Sequence, residues 1–182
     1  MSSVLEDHRR SCDGFTEVVR AASGAWSNPS PCADWDARGV LEHVIGFHDV
    51  LLLRPLEAKP ARPRDDPEAR WSVTVEALFE ALARPGALTP ERSSLLGYLT
   101  TDVVVHTWDL AAAIGAAVTL DERLCQLGLD RALANRAQFE ASDMFADPVP
   151  VPEDASVQDR LLGLFGRDPG WKPPTRSAAA TP

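Results

Sequence analysis

The chain has 182 residues, 45% of them hydrophobic and 25% charged, with a formal net charge of −9. This length predicts one domain with a sizeable core, and the acidic balance argues against nucleic acid and anionic membrane surfaces as partners. No apolar run approaches the ~18 residues of a membrane span, and the opening MSSVLEDHRRSCDG lacks the apolar stretch of a signal peptide.

Residues 3 to 25 read as a first helix, with Val4, Leu5, Phe15, Val18, Val19 and Ala22 in a roughly helical pattern that Gly14 weakens. His8 falls in its first polar turns and is expected to be solvated. WSNPSPCADW then makes a turn-rich connection, and Asp36 can cap a second helix from about Ala37 to Leu56. Val40, Val44, Phe47 and Leu51 form its apolar line, widened by Leu41, Ile45 and Leu52. His43 lies at one margin of this stripe, and His48 near its middle or other side. Five residues apart, the two rings diverge by roughly 140° around the axis, so they are not expected to share one metal.

KPARPRDDP is a surface loop rich in proline and charge. Pro67 can open a third helix that ends near Arg84, with Trp71, Val75, Leu78, Phe79 and Leu82 on its apolar face. Thr89 or Pro90 leads into a fourth, whose centre is YLTTDVVVHTWDLAAAIGAA, residues 98–117. Leu95, Leu99, Val103, Leu110, Ala113 and Ala117 lie on or beside one face, while Val104, Val105, Trp108 and Ala111 cover much of the other. A helix apolar nearly all round belongs at the centre of its domain. Asp102, His106 and Asp109, spaced by four and three, nevertheless fall along one line of it. Buried ionisable groups need partners.

A fifth helix is expected from about Asp121 to Glu140, and a short last one from Val157 to Phe165, stopped by Gly166. The end, WKPPTRSAAATP, has the composition of a mobile tail. Residues 1–170 are thus expected to form one helical domain and 171–182 a tail. With no alternating strand and no GxGxxG, P-loop or GxSxG motif, the fold class is all-α: a four-helix bundle with additional short helices. Cys12, Cys32 and Cys125 are odd in number and widely spaced, which fits reduced thiols in the cytoplasm.

In a bundle, inward side chains on facing helices build metal sites. His43 with Asp102 and His106 is the candidate set. Two imidazoles and a carboxylate suit zinc, nickel or iron, with positions left open for water or substrate. The other reading of the same residues is a satisfied Asp–His pair that orders the core.

PCADWDARGVLEHVIG resembles the pattern Pro-Cys-x-x-Trp-x-x-x-x-x-Leu-x-His, and DVVVHTWDLAAAIG resembles acidic-x-x-x-His-x-Trp-Asp-Leu-Ala. Both are typical of the N-terminal, metal-binding domain of mycothiol-dependent maleylpyruvate isomerases, among the DinB-like four-helix-bundle proteins. The closing VPVPEDASVQDRLLGLFGRDPGW resembles the tail of a single-domain branch. The resemblance implies a divalent metal, zinc or nickel, held by His43, Asp102 and His106. It also implies a low-molecular-weight thiol such as mycothiol as co-substrate, transferred to a small electrophile or isomerised with it. Enzymes of the family usually carry Glu where Asp102 stands, and the full isomerases continue into a second domain for which this sequence has no room.

Among the other residues of the signature, Trp108 and Cys32 read as packing, and His48 as a core or surface histidine. Asp109 either orients a ligand histidine or bonds to backbone in a neighbouring loop. The expected partner is a small-molecule substrate, with neither nucleic acid nor membrane. A homodimer is a further expectation, because the fourth helix is apolar on more faces than one bundle contact needs. The rival class is a non-catalytic metal- or small-ligand-binding bundle with a structural or vacant site.

Overall fold

Each helix begins where a short polar side chain can accept an otherwise free backbone N–H. Ser3, Asp36, Asp66, Thr89, Asp121 and Ser156 each take one from the residue three positions on, a contact worth about 1 kcal/mol. The computed structural model describes residues 3–135 and 147–174. Within them the caps start α1 (Val4–Ala21), α2 (Ala37–His48), α3 (Pro67–Leu82), α4 (Pro90–Ala113), α5 (Glu122–Ala134) and α6 (Val157–Leu164), and no strand occurs among the described residues. Pro67 and Pro90 sit in the first turns of α3 and α4, where a missing N–H costs nothing. α2 runs on without a break into a π-helical segment, Asp49–Leu53, in which the Arg54 N–H reaches back five residues to the Asp49 carbonyl at 2.9 Å.

The fold is the all-α, DinB-like bundle that the sequence predicts. α4 leaves the helical conformation at Ile114, and Gly115 follows at φ 71°, the left-handed geometry that suits glycine just past a helix. The last residues of the expected fifth helix, from 136 on, and the end of the expected tail, from 175 on, lie outside the described residues.

α4 is apolar all round because it stands between two cores. On one side α1, α2 and α3 enclose Cys12, Phe15, Leu41, Leu52, Trp71, Leu78, Leu99, Val103 and Leu110. On the other, Val104, Val105 and Trp108 meet Leu124, Cys125 and Leu129 of α5 and Leu161 and Leu162 of α6. The chain's own helices thus cover the apolar faces of α4. α5 approaches closely at Gly128, where a Cβ would stand 2.8 Å from Thr101 Cγ2. α6 is docked at Gly163: a Cβ there would stand 2.7 Å from the Val149 carbonyl oxygen, while the Val149 N–H donates to the Gly163 carbonyl at 2.8 Å. No helix among the described residues is long and apolar enough to cross a membrane.

One expectation fails here. His8 is not solvated: it is fully buried, with Nε2 3.0 Å from His48 Nε2 and Nδ1 3.1 Å from Thr100 Oγ1. His8, Cys12, Phe15 and Val19 follow helical spacing, so the stripe that α1 buries extends back to the histidine despite its charged neighbours.

Candidate metal centre

His43 projects from the middle of α2 and meets Asp102 and His106 of α4. One ligand atom from each of the three lies within 4.8 Å of the other two. His43 Nε2 and His106 Nε2 are each 3.4 Å from Asp102 Oδ1. That is long for a charge-assisted hydrogen bond, about 2.7–2.9 Å. It is close to the edge, about 3.3–3.4 Å, of a tetrahedron around an ion with bonds of about 2.0–2.1 Å. The second carboxylate oxygen, Asp102 Oδ2, is buried and has no hydrogen-bond partner among the described residues. An orphaned buried acceptor of this kind costs on the order of 1–3 kcal/mol, and more when charged.

His106 makes its short bond on the far side of the ring. Its Nδ1 is 2.8 Å from Asp109 Oδ2, so Nδ1 carries a hydrogen and donates it, and Nε2 faces Asp102, as a lone pair once the ring is neutral. Asp109 is fully buried and is held from behind by Arg167, whose Nη2 donates to Oδ2 at 2.7 Å and whose Nε lies 3.2 and 3.3 Å from the two oxygens. The Cys32 thiol completes this backing, donating to Asp109 Oδ2 at 3.3 Å and lying 3.2 Å from Arg167 Nη2. The rings of Trp35 and Phe47 flank His43 at 4.5 and 4.2 Å between centroids.

A lone pair facing a carboxylate is repulsive unless a cation lies between them. The titrations respond to that demand. Burial pushes His106 toward the neutral form but is outweighed by Asp102 and Asp109, and its pKa is raised well above the ordinary value. Burial likewise works against charge on Asp102, yet His106 and His43 hold its carboxyl well below the usual carboxylate range. Asp109 follows the same pattern, with burial overcome by His106 and Arg167. Once His106 gives up its Nε2 proton to an ion, two carboxylates against one guanidinium leave one net negative charge. The residues present therefore fit a divalent ion, with two nitrogens and one carboxylate converging on a point that requires positive charge.

Asp109 orients His106, the first of its two expected roles. Trp108 packs in the second core as expected, and His48 lies in the interior away from this cluster. Cys32 does more than pack, since its sulfur touches both Asp109 and Arg167. Arg167 was not identified from the sequence. It follows Gly166, which takes φ 77° after α6, and reaches Asp109 across 58 positions of chain; no local pattern links residues so far apart.

Residues 8–111 match the family described as mycothiol maleylpyruvate isomerase N-terminal domain. His43, Asp102, His106 and Asp109 lie within that stretch, and Arg167 lies beyond it. An uncharacterised protein of Mycobacterium tuberculosis, found in two strains, is 31% identical over 178 residues, which cover 90% of this chain and 97% of the relative. No solved structure matches the chain.

Proposed function

Since the chain belongs to the mycothiol maleylpyruvate isomerase N-terminal domain family, we propose that it is a metal-dependent thiol transferase. It holds a divalent ion, zinc or nickel, through His43, Asp102 and His106, and uses a low-molecular-weight thiol of the mycothiol type against a small electrophile. The observation that carries this reading is the orphaned Asp102 Oδ2 beside two imidazole nitrogens. When bound, the ion supplies Lewis acidity, which holds a thiol as its nucleophilic thiolate.

The protein's own residues set the conditions. Asp109 fixes His106 with Nε2 turned inward, and Arg167 neutralises Asp109 so that only Asp102 offers the ion negative charge. With His106 Nε2 unprotonated, Asp102, Asp109 and Arg167 carry one net negative charge between them, so these residues would accommodate a divalent ion together with one thiolate at no net charge. His43 and Asp102 each keep 18% of their side-chain surface exposed against 6% for His106, so approach is from their side. Trp35 and Phe47 give that side apolar walls. In net terms a carbon–sulfur bond forms; in an addition the thiol proton ends on the product, and in a substitution it leaves together with the displaced group (chloride, from an aryl chloride), so no redox partner is needed. The three cysteines are unpaired, which supports a reducing, cytoplasmic setting.

The test is turnover of a chromogenic electrophile, 1-chloro-2,4-dinitrobenzene, by zinc-loaded protein with and without mycothiol. We expect thiol-dependent turnover that His43→Ala abolishes. Tight zinc binding with no thiol-dependent turnover would make the protein a binding bundle.

A further inference from the structure

A second group of ligating side chains lies between α1 and α2. His8 Nε2 and His48 Nε2 face each other at 3.0 Å, and Cys12 Sγ is 3.6 Å from His8 Nε2. All three residues are 0% exposed. One ligand atom from each lies within 4.8 Å of the other two.

The outer nitrogens decide what belongs between the inner ones. His48 Nδ1 is 2.6 Å from the Val44 carbonyl oxygen; a carbonyl only accepts, so this Nδ1 carries a hydrogen. Thr100 Oγ1 lies 2.7 Å from the Leu96 carbonyl and 3.1 Å from His8 Nδ1. The shorter contact takes the single hydroxyl hydrogen, and Thr100 then accepts from His8 Nδ1–H. A neutral imidazole has one N–H, so both inner nitrogens present lone pairs to each other, beside a sulfur. Each histidine is oriented by an oxygen on its far nitrogen, the arrangement that metal-ligating histidines use. A shared proton is a poor occupant. It would add a positive charge inside an enclosure where both histidines are 0% exposed and packed against the Trp71 and Phe79 rings.

We propose that His8, Cys12 and His48 form a second, wholly buried metal site for a soft, thiophilic ion of the copper(I) class. A thiolate with two imidazoles is a donor set for soft ions. One thiolate on a monovalent ion gives a neutral complex, which an enclosure of Trp71 and Phe79 rings tolerates better than the net charge a divalent ion would leave. With bonds of about 2.0–2.1 Å to nitrogen and 2.3 Å to sulfur, nitrogen and sulfur stand about 3.6 Å apart on one ion. The sulfur already has that spacing from His8 Nε2 and lies within 4.8 Å of a His48 ring nitrogen, and the imidazoles need open by only a few tenths of an ångström. Loading releases the Cys12 thiol proton as the sulfur becomes a thiolate; nothing is oxidised or reduced.

The test loads the full chain with copper(I) by anaerobic refolding and measures retention against a chromogenic copper(I) chelator. Wild type, Cys12→Ala, His48→Gln and His43→Ala are compared, with circular dichroism as the check of folding. Wild type and His43→Ala should each keep one copper(I) with a near-ultraviolet thiolate-to-metal band, while Cys12→Ala and His48→Gln lose the band and bind at least 100-fold more weakly. X-ray absorption on wild type should show one sulfur and two nitrogens around copper, which decides the case even if a variant does not fold. Unchanged copper retention by folded Cys12→Ala, or none by wild type, would overturn the proposal. It would leave a neutral chain of hydrogen bonds from Thr100 through His8 and His48 to Val44. The His43→Ala arm separates this result from the fate of the centre at His43, Asp102 and His106.

Discussion

Asp109 never touches the point where His43, Asp102 and His106 converge, yet it sets what His106 can do there. Asp109→Asn weakens its hold on His106 Nδ1 and leaves Arg167 as a buried cation without its counter-charge. Zinc affinity should fall about 10- to 100-fold, and denaturant unfolding should show a loss of about 3 kcal/mol. An unchanged zinc affinity in Asp109→Asn would exclude the orienting role. Asp102→Glu lengthens the arm by one methylene and keeps the carboxylate, and should keep zinc affinity within about tenfold. At this scale the sequence was legible where chemistry followed helical spacing: Asp102, His106 and Asp109 share one line of α4, and His43 lies on the stripe of α2. Arg167 was not legible, because its contact depends on where the chain places a residue far away. Cys32 was read as packing because nothing local shows the buried carboxylate and guanidinium that its sulfur meets.

α6 matters for the residues just past its end. Its docking against Val149 at Gly163 positions Gly166 and, next, Arg167 over Asp109. Gly163→Ala forces a Cβ against the Val149 carbonyl, which should cost about 1–3 kcal/mol. It should also weaken zinc binding, though less than Asp109→Asn does, because Arg167 is loosened and not removed. Thermal unfolding and a zinc titration of the variant check both; full stability would mean that α6 adjusts without strain. The helices were largely legible because binary pattern, prolines and caps agree at their starts, as at Asp36, Pro67 and Thr89. His8 was misplaced because Glu6, Asp7, Arg9 and Arg10 surround it with charge, while burial follows only the stripe it shares with Cys12 and Phe15. The π-helical segment after His48 had no signal in the sequence, since its residues are as apolar as those of an ordinary helical turn.

For the molecule as a whole, buried histidines make stability depend on pH in two opposite ways. His8 and His48 have folded pKa values below the ordinary 6.5, chiefly from burial. Their stabilisation is complete above that pH and is lost as pH falls below it, by up to about 1.4 kcal/mol per unit for each. His106 is shifted upward, with burial outweighed by Asp102 and Asp109. Its contribution is complete below pH 6.5 and is lost as pH rises toward its folded value. Metal-free protein should therefore be most stable near pH 6.5, and saturating zinc should remove the alkaline decline, because the ion replaces the proton at His106 Nε2. Denaturant unfolding at pH 5, 6.5 and 8, with and without zinc, reads both arms; equal stability across them would contradict these opposed titrations. Whether His43, Asp102 and His106 hold an ion is read by calorimetric titration of zinc into metal-free wild type, His43→Ala and Asp102→Ala. Wild type should take up one tight ion per chain, with proton release from His106. Both variants should lose more than about 100-fold in affinity, since each removes a ligand where a residue behind the ligands costs only 10- to 100-fold. Equal, negligible uptake by all three would contradict the metal centre and leave His43, Asp102 and His106 a structural cluster.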